Sequence, residues 1–140
     1  MNYSHVVCLV DNDTTRVDVA RTFYPLGVPV VFAGFNATAE GGYCFIQESA
    51  PGTPCFGCLF PDAVRAPRGA ACGAGFTIDI VFTVAGFVTW ALDALVGNRQ
   101  ALWRYKEVSL AGFEHADGSR IVERRPDCSI CGPTRSALHP

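Results

Sequence analysis

The chain has 140 residues, of which 49% are hydrophobic and 17% charged, and its formal net charge is −2. That length suits one domain with its own core, so a single domain over 1–140 with no linker is expected. The weak charge and the lack of any basic run give no electrostatic footprint for nucleic acid or an anionic membrane, and neither is expected as a partner.

The start, Met1-Asn2-Tyr3-Ser4-His5-Val6-Val7, lacks the basic region and long apolar run of a signal peptide. With seven cysteines, an odd number, the expected setting is a reducing cytoplasm. The sequon Asn36-Ala37-Thr38 matters only in a secreted protein and is read as chance.

His5 to Val10 is a short apolar run ending in Asp11-Asn12-Asp13-Thr14-Thr15, a cluster of helix-capping residue types. It reads as a buried parallel strand feeding a helix from about Thr14 to Leu26. The inner side of that helix carries Val17, Ala20 and Tyr24 or Val19, Phe23 and Leu26, and Gly27 is its stop. Val28 to Ala33 is β-branched and apolar, with Pro29 tolerable near a strand start, which completes a βαβ unit. Gly34 to Gly42 is loop-like, and Tyr43 to Gln47 is a further strand, short enough to be an antiparallel neighbour. Cys8 and Cys44 lie inside these apolar runs and read as small core residues.

Next comes Pro54-Cys55-Phe56-Gly57-Cys58-Leu59-Phe60-Pro61, then 61–71, which has two prolines and no periodicity and reads as an exposed loop. The loop leads to Cys72-Gly73-Ala74-Gly75, a flexible approach to a helix N-terminus. There the dipole and free N–H groups favour a thiolate, although a packed, inert cysteine fits equally well. Phe76 to Val96 is apolar on nearly every face. Asp79 and Asp93 leave too short an uncharged run to span a bilayer, so the stretch reads as a helix covered all round, part of it in a subunit interface. Ala101 to Leu110 alternates as a half-buried strand, and Arg120 to Arg124 follows as another. Between them, His115-Ala116-Asp117-Gly118-Ser119 makes a hairpin-type connection, which leaves His115 a solvated loop residue. His139, in the short polar tail, has no evident partner.

The second knuckle, Pro126-Asp127-Cys128-Ser129-Ile130-Cys131-Gly132, mirrors the first. Two Cys-x-x-Cys pairs flanking a long middle stretch are a specific signal for a tetrahedral zinc site, with two disulfides or scattered core cysteines as the alternatives. Four cysteines close the coordination shell, so such a site clamps structure and does no chemistry. The expected fold is α/β, a Rossmann-like partial sheet with a parallel βαβ start and an antiparallel remainder, and a four-cysteine zinc knuckle of Cys55, Cys58, Cys128 and Cys131 at one end.

These pieces follow one another in an order that resembles the ThiF/MoeB/HesA proteins, relatives of the ubiquitin-activating enzymes. The motifs are a strand ending in Asp11-Asn12 with Thr14-Thr15-Arg16 opening a helix, the Gly27-Val28-Pro29-Val30-Val31 strand, the Pro-Cys-x-x-Cys-Leu-Phe-Pro knuckle, a cysteine before an Ala-Gly helix start, and the closing Pro-Asp-Cys-x-x-Cys-Gly. The resemblance runs from about Val6 to Gly132 and covers that family's C-terminal half.

What it implies is adenylation, by ATP, of the C-terminus of a ubiquitin-like or sulfur-carrier protein, with a cysteine accepting the acyl group in several members. On this chain Asp11 matches the aspartate that holds the magnesium of Mg-ATP and Asn12 its neighbour in the nucleotide site. By themselves the two also read as helix capping. Arg16 falls where the family also has arginine and reads as structural. Cys72 lies near the acyl-accepting or sulfur-relay position, but its motif is one residue short of the family's.

The Gly-x-Gly-x-x-Gly loop, the ribose-binding acid and the triphosphate-neutralising bases of the family's N-terminal half are not in this sequence. Mg-ATP is therefore expected only where a separate nucleotide-binding half is supplied. The apolar helix over 76–96, too apolar for so small a domain to cover alone, makes a homodimer the expected assembly. The alternative function is a non-catalytic, zinc-stabilised dimerisation or protein-interaction module derived from the same fold.

Overall fold

A computed structural model describes residues 4–35, 41–69, 78–101, 103–109 and 118–132. Strand β1 (Val6–Cys8) leads into helix α1 (Asp13–Phe23), then β2 (Val30–Phe35) and β3 (Gly41–Gln47). Two short helices, α2 (Phe56–Leu59) and α3 (Pro61–Arg65), precede the long helix α4 (Ile78–Val96) and strand β4 (Tyr105–Ser109). The sheet order is β1-β2-β3-β4. β1 runs parallel to β2, while β2–β3 and β3–β4 are antiparallel, so the parallel start and antiparallel remainder expected from the sequence are both present.

Alternation along the central strands divides the core into two layers. Val30, Phe32 and Phe45 face α1, α2 and α3, packing with Val17, Ala20, Phe56 and Ala63. Val31, Ala33, Cys44 and Ile46 point the other way, onto α4 through Ile80, Val84 and Ala91. A strand covered on both faces has no polar side, which is why β2 reads as a continuous apolar run. Cys8 and Cys44 are core residues as expected, and burial pushes the Cys44 thiol up to about 12, far from any reactive range.

Helix α1 starts as its sequence predicts. Asn12 is the N-cap, its Oδ1 accepting from the Thr15 N–H at 2.8 Å. The helix ends sooner than Leu26, which is 65% exposed, and Gly27 follows at φ +66°, a left-handed turn that favours glycine.

Three sequence expectations need correction. The stretch 61–71 is not all loop: Pro61 and Asp62, good first-turn residues, open α3. Arg120 to Arg124 does not form a strand. Only Arg120 bridges to Tyr105, and Val122 is buried against the core from an irregular segment. The third expectation concerns α4, whose uncharged run was expected to be too short to span a bilayer. Length and composition alone would let α4 cross a membrane, and its inner residues pack on the sheet, but Ile78, Phe82 and Val96 are exposed on the outer side. Cys72, His115, Asn36 and His139 lie outside the described residues.

Gly42 is where α4 approaches the sheet most tightly. A Cβ there would stand 2.6 Å from Cγ2 of Val84 and 2.9 Å from the Gly34 carbonyl oxygen. Gly42→Ala is therefore expected to lower unfolding stability by about 1–3 kcal/mol in urea titration, the usual range for overpacking. Adding Val84→Ala should recover part of the packing clash, although the Gly34 carbonyl stays in place. A Gly42→Ala protein as stable as the parent would show that α4 has room to shift.

Candidate metal centre and the acidic turn before helix α1

Residues 73 apart in sequence bring the two knuckles together. The first is a single turn of helix. Cys55 is its N-cap residue, and the Cys58 N–H donates to the Cys55 carbonyl at 3.0 Å, which points both thiols the same way. The second closes through the Gly132 N–H donating to the Cys128 carbonyl at 2.8 Å. Gly57 lets the two approach, since a Cβ on it would lie 3.2 Å from the Cys128 sulfur.

All four Sγ atoms lie within 4.8 Å of one another. Measured pairs are Cys55–Cys128 at 3.5 Å, Cys58–Cys131 at 3.2 Å and Cys55–Cys58 at 3.9 Å. A tetrahedral zinc with bonds of about 2.3 Å sets its sulfurs roughly 3.8 Å apart. The residues therefore fit a zinc ion, and all four thiols are free rather than paired as disulfides. Four sulfurs leave no ligand position open, and Cys55, Cys58 and Cys131 are buried.

Without metal the cluster shares its protons unevenly. The Cys55 thiol donates toward Cys58, which lowers the Cys58 pKa, and the Arg125 N–H at 3.3 Å helps. The same bond and burial raise Cys55, while burial chiefly raises Cys131. At neutral pH Cys55 and Cys131 thus hold protons that an incoming metal must displace.

Phe56, inside the first knuckle, is 1% exposed and packs 4.8 Å from the Phe32 ring of β2. Its N–H donates to Oε1 of the fully buried Gln47 at 3.0 Å, and Gln47 Nε2 donates to Ser49 Oγ at 3.2 Å. The sequence reading missed this polar hook. Its one local signal is a glutamine ending an apolar strand.

At the other end of α1, Asp11 is exposed at the carboxyl end of β1 and accepts from Asn12 Nδ2 at 3.4 Å. Arg16 is structural: Nη2 donates to the Val10 carbonyl at 2.6 Å and Nη1 pairs with Asp13 at 3.3 Å. Asp13, not singled out in the sequence, holds the backbone of Arg68 from both sides, through Asp13 N–H to the Arg68 carbonyl and Arg68 N–H to Asp13 Oδ2, each at 3.1 Å. Tyr24, just past the last residue of α1, packs against the cysteine cluster. An 11-residue helix is roughly 16 Å long, so the two sites stand about that far apart.

No protein-family model matches the chain. It is 26% identical over 152 residues to the "Adenylyltransferase and sulfurtransferase MOCS3" of Caenorhabditis briggsae, covering 99% of this chain and 35% of that protein. It is 26% identical over 151 residues to the "Adenylyltransferase and sulfurtransferase uba4" of Aspergillus niger, covering 96% of this chain and 30% of that one. The chain thus spans about a third of the length of these curated relatives. Among solved structures, Escherichia coli MccB superposes with a TM-score of 0.69 at 13% identity, over 97% of this chain and 41% of that one, and so shares the fold. The resemblance to ThiF/MoeB-type adenylyltransferases read from the motifs is borne out by these relatives.

One equivalent of zinc per chain is expected on metal analysis, and Cys55→Ser should lose that metal together with several kcal/mol of stability. Cys44→Ser, in the opposite layer, should keep the zinc. Zinc added to metal-free protein near pH 7 should release at least the protons of Cys55 and Cys131, seen as a buffer-dependent binding enthalpy, and affinity should fall as the pH is lowered. Unchanged thermal stability and metal content in Cys55→Ser would exclude the clamp.

Proposed function

We propose that this chain is the zinc-clamped C-terminal part of a ThiF/MoeB-type enzyme that adenylates the C-terminus of a ubiquitin-like or sulfur-carrier protein with ATP, and that it needs a nucleotide-binding half to do so. The observation that carries this reading is the match, over nearly the whole chain, to about a third of two adenylyltransferases. Zinc would be held by Cys55, Cys58, Cys128 and Cys131 and would fix the ends of the middle segment. Free thiols at this density suit a reducing compartment.

In this reading Asp11 holds the magnesium of Mg-ATP and Asn12 lines the nucleotide site. Physical support comes from their place beyond the carboxyl end of a parallel strand, where open α/β sheets bind ligands, and from a carboxylate's fitness for a hard cation. The triphosphate needs further N–H donors and cations, which the resemblance places in the other half. Cys72 is proposed as acyl or sulfur acceptor on sequence position alone.

Calorimetry with Mg-ATP tests the division of labour. The chain alone should show no saturable binding. With a nucleotide-binding half supplied, binding and ATP–pyrophosphate exchange should appear, and Asp11→Ala should cut the exchange by roughly a hundredfold or more, the scale of losing one electrostatic contact to the reacting phosphates. Tight Mg-ATP binding by the isolated chain would overturn the split-site reading.

A second reading, a non-catalytic dimerisation module, draws on the outer side of α4, where Ile78 is 73%, Phe82 69% and Val96 71% exposed. Large apolar side chains left exposed at both ends of one helix side are a feature of interaction sites. On this reading the protein sediments as a dimer, and Phe82→Glu converts it to a monomer with zinc retained. A parent protein that is monomeric at high concentration would remove it.

A further inference from the structure

The four cysteines of the metal centre are not equally protected. Cys55, Cys58 and Cys131 are buried, whereas Cys128 is only partly so. Cys128 also borders both of the openings beside the cluster. One is a cavity of about 150 Å³ lined by Gly57, Val64, Arg65, Arg125 and Asp127. The other is a groove of about 680 Å³ that runs past Tyr24, Pro51 and Ser129 and is also bordered by the buried Cys131. Either is large enough for a molecule the size of a few waters to reach sulfur. Arg65 and Arg125 line the first opening, with Arg125 held to Asp127 through Nε at 3.1 Å and Nη2 at 2.9 Å, so both signs of charge border it.

We propose that Cys128 is an oxidation site for hydrogen peroxide, and that its oxidation joins it to Cys55 as a disulfide across the two knuckles. This rests on the zinc reading of the same cluster. The Cys128 thiolate attacks one peroxide oxygen, the O–O bond breaks and hydroxide leaves, giving a sulfenic acid. The Cys55 thiolate, 3.5 Å away, then attacks the Cys128 sulfur, and its S–OH bond breaks with loss of a second hydroxide. Two thiolates give one disulfide, two electrons pass to the peroxide, and two protons from solvent complete two waters. Cys55 and Cys128, once joined, would no longer be available as ligands, which would leave a zinc ion at the cluster only the sulfurs of Cys58 and Cys131.

The pairing distinguishes this site from the usual oxidation of a Cys-x-x-Cys pair. Within the first knuckle Cys55 and Cys58 are 3.9 Å apart, farther than Cys55 is from Cys128, and Cys58 is occupied with Cys131 at 3.2 Å and the Arg125 N–H at 3.3 Å. A bond across the knuckles keeps residues 73 apart fastened after the zinc has gone. A bond within one knuckle would let them separate.

The experiment treats the full chain with hydrogen peroxide. A zinc chromophore follows the metal, dimedone traps sulfenic acid, and mass spectrometry maps disulfides under non-reducing digestion. The expected result is dimedone on Cys128 at early times and a Cys55–Cys128 linked peptide as zinc is released, both reversed by dithiothreitol. First labelling at Cys55, Cys58 or Cys131, or a Cys55–Cys58 bond as the main product, overturns the proposal. So does zinc retention with all four thiols intact while an exposed model thiol is consumed. Metal content before oxidation tests the zinc reading separately. A chain that binds no zinc yet forms the Cys55–Cys128 bond keeps the oxidation site and loses the metal.

Discussion

The meeting of two cysteine pairs 73 residues apart is the constraint on which the rest depends. Closing a flexible loop of that length costs about 4 kcal/mol in chain entropy before any contact is made. Zinc on four thiolates contributes about 10–16 kcal/mol, several times that cost, so a bound ion would decide the balance. The closure is also built into the core. Phe56 packs on Phe32 at 4.8 Å and on Phe60 at 5.0 Å, while Gln47 holds the Phe56 amide. Strain at the knuckle would therefore be felt in the sheet, and a shift of β3 would be felt at the cysteines.

Helix α1 separates the two places where chemistry could occur. Its N-terminus carries Asn12 and Asp13, beside Asp11, and its C-terminal side meets the cysteine cluster through Tyr24, whose hydroxyl donates to the Thr53 carbonyl at 2.8 Å. A ligand held at Asp11 would be beyond direct contact with a metal at the cysteines. In the proposed reading the metal fixes the chain around the core, and the acidic turn works with groups from a separate nucleotide-binding half. The Asp13–Arg68 pairing adds one more tie at that turn, fastening the segment after α3 to the start of α1.

How much of this was legible in the sequence depends on whether the signal is local. Doubled Cys-x-x-Cys spacing, the Asn12 cap, the turn at Gly27 and the apolar run of β2 each depend on a few neighbouring residues, and each appears where expected. The α3 helix was missed because five residues are too few for a hydrophobic period, and Pro61 signals a break as readily as a first turn. Ile121 and Val122 are a β-branched pair flanked by charged residues, as in a short edge strand, but tertiary packing pulls Val122 into the core and leaves Ile121 92% exposed. The Gln47 hook and the Asp13–Arg68 pairing join residues distant in sequence, and no local pattern announces them. α4 was read correctly as an apolar helix. That part of it would be left over from the domain's own core was legible too, because it is apolar on nearly every face, but which side stays open was not, since periodicity does not say where its neighbours sit.

The spacing of the knuckles also acts in time. A ribosome adds about 5–20 residues each second, so the 73 residues between Cys55 and Cys128 take on the order of 4–15 seconds to make. Through that interval Cys55 and Cys58 exist as a dithiol with half a coordination shell, while β1, α1, β2 and β3 are already available to pair. The nascent chain thus passes through a stage in which its N-terminal layer can assemble but its metal centre cannot. How well it survives that stage is set by the thiol chemistry of its surroundings during synthesis rather than by the stability of the finished fold.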